Sequence, residues 1–103
     1  MIINGLRWKF RKVPPASLFL QSPHGPALGA CDKPSLTIYL NKNLKGKKLQ
    51  DVICHEIVHA TLFSYNINLS YHNEEIIAMI IATYGNQIIE QSKKIYKKIR
   101  GTN

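Results

Sequence analysis

The segment Val52-Ile-Cys-His-Glu-Ile-Val-His-Ala60 decides the fold, because an amphipathic pattern continues on both sides of it. From residue 49 to residue 63, apolar residues recur at the spacing of a helix: Leu49, Val52, Ile53, Ile57, Ala60 and Phe63. The pattern predicts a helix over residues 47–64. His55 and His59 are four residues apart, so they lie one turn above each other on one face of that helix.

Residues 55–59 form an HExxH motif, whose spacing suits a zinc ion. Each histidine can offer one nitrogen to the metal at about 2.0 to 2.1 Å. Glu56 points beside the metal, where a base can take a proton from zinc-bound water. The alternative is two polar histidines on a helix surface, but the apolar flanks favour a metal site. We therefore predict Zn²⁺ as cofactor, His55 and His59 as ligands, and Glu56 as the catalytic base.

A catalytic zinc needs a third protein ligand and one open position. The downstream candidates are His72, Glu74 and Glu75. We favour Glu75 because Ala78 and Ala82 follow it on the same face, and small side chains there allow two helices to approach closely. Glu74 is the close alternative. The helix dipole, which favours acidic residues at a helix N-terminus, would also explain both carboxylates without a metal.

Three further residues are weaker candidates. Asp51 stands one turn before His55 and could accept a hydrogen bond from its outer nitrogen. Tyr71 and His72 precede the second predicted helix and could contact a substrate carbonyl or an oxyanion. A solvated aspartate and ordinary loop residues explain the same positions equally well.

The remaining chain predicts short strands and one more helix. Residues 6–13 alternate apolar and basic side chains, which is typical of a half-buried strand. A second strand is expected over residues 17–21, and residues 27–31 and 36–40 are expected to form a hairpin. A long helix is expected over residues 74–98. The predicted fold class is α+β: a small antiparallel sheet packed on the active-site helix and a second long helix.

Size and charge limit the classes of function. A chain of 103 residues has room for one core, so residues 1–103 are expected to form a single domain. Fourteen Lys and Arg against six Asp and Glu give a formal net charge of +8, which makes nucleic acid a possible partner. No zinc-finger, RNP or helix-turn-helix pattern accompanies the charge, so solvated basic faces are favoured over a nucleic-acid surface.

No membrane partner is expected, because the longest apolar run, residues 76–82, is too short to span a bilayer. The N-terminal residues do not have the pattern of a signal peptide. We therefore expect a soluble, cytoplasmic protein in which Cys31 and Cys54 are reduced thiols.

The chain resembles the small gluzincin-type metallopeptidases of bacteria, phages and mobile elements, which are related to the ImmA/IrrE peptidase domain. The resemblance covers roughly residues 27–90 and lies in Leu28-Gly-Ala-Cys-Asp32, Leu36-Thr-Ile-Tyr-Leu40, the HExxH segment and Glu74-Glu-Ile-Ile-Ala-Met-Ile-Ile-Ala82. It implies a minimal zincin-like fold in which His55, His59 and Glu75 bind zinc and Glu56 is the base. The chain lacks the DNA-binding domain of larger members, which puts a repressor-cleaving role in doubt.

The expected function is hydrolysis of peptide bonds in a peptide or protein substrate, through a zinc-activated water with Glu56 as general base. Two alternatives stay open. One is a basic nucleic-acid-associated protein, and the other is a degenerate zincin that binds metal or a partner without turnover.

Overall fold

The structure is a computed structural model that describes residues 1–101. Its strands are β1 (Ile2–Ile3), β2 (Leu6–Arg7), β3 (Lys9–Val13), β4 (Gln21–Ser22), β5 (Gly25–Pro26), β6 (Gly29–Asp32) and β7 (Thr37–Asn41). Its helices are a 3₁₀ helix (Leu18–Leu20), α1 (Gly46–Ser64) and α2 (Tyr71–Arg100). The α+β fold class predicted from the sequence is confirmed.

The central sheet has three strands in the order β3-β7-β6. The predicted hairpin is present, since β6 and β7 pair antiparallel with Ala30 opposite Tyr39. The short ribbons β1–β2 and β4–β5 are antiparallel as well. The prediction of a purely antiparallel sheet is wrong for the β3–β7 pair, which is parallel. The long connection between these two strands, which includes the 3₁₀ helix and three other strands, lets the chain return in the same direction.

The strand predicted over residues 17–21 is wrong for most of its length. The structure has a 3₁₀ helix at Leu18–Leu20, and only Gln21 enters a strand. The Ser17 hydroxyl accepts a hydrogen bond from the Phe19 backbone N–H at 3.2 Å. Such a local cap offers the backbone an alternative to a strand ladder, which explains the difference.

The core lies between the central sheet and α1. Its buried members are Trp8, Ile38, Leu40 and Ala60. The Trp8 indole N–H donates a hydrogen bond to the Ser64 hydroxyl at 2.9 Å, so the N-terminal strands are joined to the last turn of α1. This packing fixes how α1 is rotated about its axis and therefore which of its residues face away from the core.

Helix α2 begins three residues before the predicted start. Ser70 caps its N-terminus, because its hydroxyl accepts a hydrogen bond from the Asn73 N–H at 3.2 Å. Tyr71 and His72 therefore lie in the first turn of α2 and do not precede it. The helix ends at Arg100, two residues beyond the predicted end, and Gly101 is its C-cap.

Candidate metal centre

Helix α1 contributes three side chains to a site that faces α2. His59 and Glu56 are buried, and His55 is partly exposed. The rings of His55 and His59 have centroids 5.0 Å apart, as the four-residue spacing predicts for neighbours on one helix face. Both imidazoles thus lie side by side at the surface where α1 meets α2.

Glu75 of α2 lies between the two histidines. One of its carboxylate oxygens is 3.2 Å from His55 Nε2, and the other is 2.8 Å from His59 Nε2. Ala78, on the next turn of α2, is fully buried, so the two helix backbones can approach closely at this level. The structure thus brings together the three residues that the sequence proposed as ligands.

Glu74 contacts the opposite nitrogen of His59. Its Oε1 lies 2.6 Å from His59 Nδ1, and Lys33 Nζ lies 3.8 Å from the same oxygen. The two nitrogens of an imidazole point in different directions, so Glu74 holds the ring while Nε2 stays directed at Glu75. The sequence left Glu74 open as an alternative third ligand, and this geometry favours Glu75 for that role.

The donor set fits a metal ion. One ligand atom from each of His55, His59 and Glu75 can be chosen so that all lie within 4.8 Å of one another. Two imidazoles and one carboxylate are also a ligand combination that leaves one coordination position open. The His-His-Glu group could therefore hold a metal ion.

Glu56 is buried between α1 and β6. A Cβ atom on Gly29 would lie 3.0 Å from Glu56 Cγ and 2.8 Å from Val52 Cγ1, so only glycine lets this strand lie so close to α1. Burial raises the pKa of Glu56 from 4.5 to about 7; the nearby Glu75 also raises it, whereas His59 lowers it. The role of Gly29 was not predicted from the sequence, although a glycine inside a strand is a signal of close backbone approach.

The raised pKa of Glu56 predicts a pH-dependent stability in the metal-free protein. The unfolded chain loses this proton near pH 4.5 and the folded chain near pH 7, so the folded state binds more protons in that window. The contribution of Glu56 to the free energy of unfolding should fall by about 3 kcal/mol as the pH rises through the window, and stay constant above it.

The Glu56→Gln variant removes this proton and leaves the other titrating groups in place. Urea unfolding of the metal-free wild type and variant should therefore diverge between pH 4.5 and pH 7, with the wild type losing stability relative to the variant. A stability difference that does not change with pH would contradict the burial of an ionisable Glu56.

The site opens into a groove with a volume of about 860 Å³. Its walls come from α1, the first half of α2, and the chain from the 3₁₀ helix through β6. Cys31 of β6 lines the groove, and burial, together with the charge of Glu56, raises the pKa of its thiol to about 12. Cys31 is a free thiol, and so is Cys54. At about 12 the pKa keeps Cys31 protonated near neutral pH, so it is a neutral neighbour of Glu56.

Of the three weaker candidates, Asp51 and Tyr71 line the groove, whereas His72 does not. The Asp51 carboxylate pairs with Lys47 Nζ at 3.2 Å, and not with His55 as the sequence suggested. The outer carboxylate partner of a metal-site histidine is instead Glu74, which contacts His59 Nδ1. Tyr71 lies at the groove. His72 is exposed in the first turn of α2 and is not among the residues that line the groove.

Comparison with known proteins gives no independent assignment. The chain matches no protein-family model, no curated protein and no solved structure. The resemblance to gluzincin-type peptidases therefore stays a prediction from the sequence motifs.

Proposed function

We propose that the chain is a zinc-dependent metallopeptidase. The observation that carries the proposal is the position of Glu56, a buried carboxylate beside the convergent His55, His59 and Glu75 in an open groove. These three residues would hold zinc, which, when bound, lowers the pKa of water and polarises a carbonyl group. Three protein ligands would leave the fourth coordination position of zinc open for water or a substrate.

Glu56 then acts as general base and general acid. Its carboxylate accepts the proton of the attacking water and later delivers it to the leaving amine nitrogen. Its side chain lies against Gly29 of β6, where an added Cβ atom would be 3.0 Å from Glu56 Cγ, so it has little free space on that side. Glu74 has a positioning role, since its contact with Nδ1 keeps the His59 ring oriented.

The sheet beside the site supports a peptide substrate. β6 is an edge strand, paired with β7 on one side only, and its residues Gly29 and Cys31 line the groove. An extended peptide can add to such an edge through backbone hydrogen bonds, which do not depend on its sequence. Recognition of this kind would bring a backbone carbonyl into the groove that contains Glu56.

The proposal is tested by peptide digestion with protein of known metal content. The protein, loaded with one zinc per chain, is incubated with a mixed peptide library, and the products are identified by mass spectrometry. Cleavage that is lost on chelation and restored by added zinc supports a peptidase. Intact peptides after incubation with fully loaded protein would contradict it and favour a zincin-like protein without turnover.

A further inference from the structure

The last part of α2 extends beyond the rest of the molecule. Every residue from 86 to 100 is exposed, whereas the buried residues of α2, Glu74 and Ala78, lie in its first third. Fifteen residues correspond to about 22 Å of helix. The described chain is accordingly elongated, with principal extents of 57 × 30 × 25 Å. We refer to residues 86–100 as the basic tail helix.

The basic tail helix has one apolar and one cationic face. Its large apolar side chains lie within an arc of about 120° on a helical projection: Ile88, Ile89, Ile95, Tyr96 and Ile99. These side chains are 51–65% exposed. Its cations occupy the remaining arc: Lys93, Lys94, Lys97, Lys98 and Arg100. Glu90 is its single carboxylate and lies 3.5 Å from Lys93.

The apolar face of the basic tail helix gains little from packing within the fold. Ile88, Ile89 and Ile95 are 51–55% exposed, so burial of these side chains contributes little to the stability of this part of α2. Within the described part of the chain, residues 86–98 are all exposed. A partner that binds both the isoleucines and the lysines would stabilise this helix.

We propose that the basic tail helix binds an anionic lipid surface and lies in the plane of that surface. Its isoleucines would enter the boundary between headgroups and acyl chains, and its lysines would contact the anionic headgroups on either side. Within residues 1–101, neither helix combines the length and the apolar character that crossing a bilayer requires. This proposal departs from the sequence-based expectation of no membrane partner. That expectation was drawn from the short apolar runs, and a helix that lies at the interface needs no spanning segment.

The two other occupants fit less well. Ile81, Ile88 and Ile95 recur every seven residues, as in a coiled coil between two copies. The second core position of that heptad repeat, however, is occupied by polar residues such as Gln91 and Lys98. Pairing of two copies would also bring two lysine-rich helices together. Nucleic acid would account for the lysines but would leave the exposed isoleucines without a role.

The test is co-sedimentation of the full-length protein with vesicles at roughly 0.1 M salt. Vesicles contain either phosphatidylcholine alone or equal parts of phosphatidylcholine and phosphatidylglycerol. The protein should bind only the anionic vesicles. Changing both Lys94 and Lys98 to Gln should weaken binding about 25-fold, because each cation near an anionic surface contributes roughly fivefold. Changing both Ile88 and Ile95 to Asn should weaken it by more than roughly 100-fold.

The matched control changes Lys9 and Lys12 to Gln, which removes the same charge from exposed positions on β3. This variant should bind anionic vesicles within about twofold of wild type. Equal loss in the control, or equal binding to both vesicle types, would overturn the proposal. So would binding to a DNA duplex without binding to anionic vesicles, or a dimer in sedimentation velocity that the Ile88 and Ile95 changes convert to monomer. None of these outcomes depends on peptidase activity.

Discussion

The Glu56→Gln variant should lose peptide hydrolysis by about 10²- to 10⁴-fold, the usual contribution of a general base, while it keeps its zinc. Glutamine has nearly the same shape as glutamate but cannot accept the proton of the attacking water. The proposed ligands are His55, His59 and Glu75, so the metal should remain bound. Glutamine is also compatible with burial beside Gly29, because it carries no charge.

The measurement is the rate of cleavage of one library peptide, recorded with the zinc content of the same sample. Glu90→Gln is a matched control, since it makes the same chemical change on exposed α2 and should leave the rate unchanged. A Glu56→Gln protein with full zinc and wild-type activity would refute the role of Glu56. Equal losses in both variants would show that the assay does not report on the site.

Replacing His59 or Glu75 by alanine should abolish stoichiometric zinc binding. Each change removes one of the three protein ligands that a catalytic zinc site needs, and the two that remain bind the ion too weakly for stoichiometric occupancy. Glu74→Gln should behave differently, because Glu74 contacts Nδ1 of His59 and not the atoms that converge on the site. Loss of such an outer partner weakens metal affinity by about 10- to 100-fold.

Zinc content by elemental mass spectrometry, together with affinity from competition with a zinc-binding dye, separates these effects. The control is Asp51→Asn, because Asp51 lines the groove but pairs with Lys47. It should keep one zinc per chain at near wild-type affinity. Retention of tight zinc by Glu75→Ala with its loss in Glu74→Gln would reverse the assignment of the two carboxylates.

Local patterns predicted much of the fold. The periodicity of residues 47–64 gave the bounds of α1 to within one residue, and the hairpin expected over residues 27–31 and 36–40 is present as β6–β7. The 3₁₀ helix at Leu18–Leu20 was missed because a side-chain cap, and not apolar alternation, decides that segment. The early start of α2 was also missed, although Ser70 is a typical N-cap residue.

The sequence by itself identified the two histidines as candidate ligands, Glu56 as the candidate base, and the adjacent pair of acidic residues as candidates for the third ligand. It could do so because the spacing of residues along one helix is a local property. Only the tertiary structure decided how these groups meet. Packing of α1 on the sheet and the approach of α2 near Ala78 direct Glu75 to both Nε2 atoms and Glu74 to Nδ1. Adjacent residues of a helix point about 100° apart, so their roles depend on how α2 is rotated against α1, which contacts distant in sequence determine.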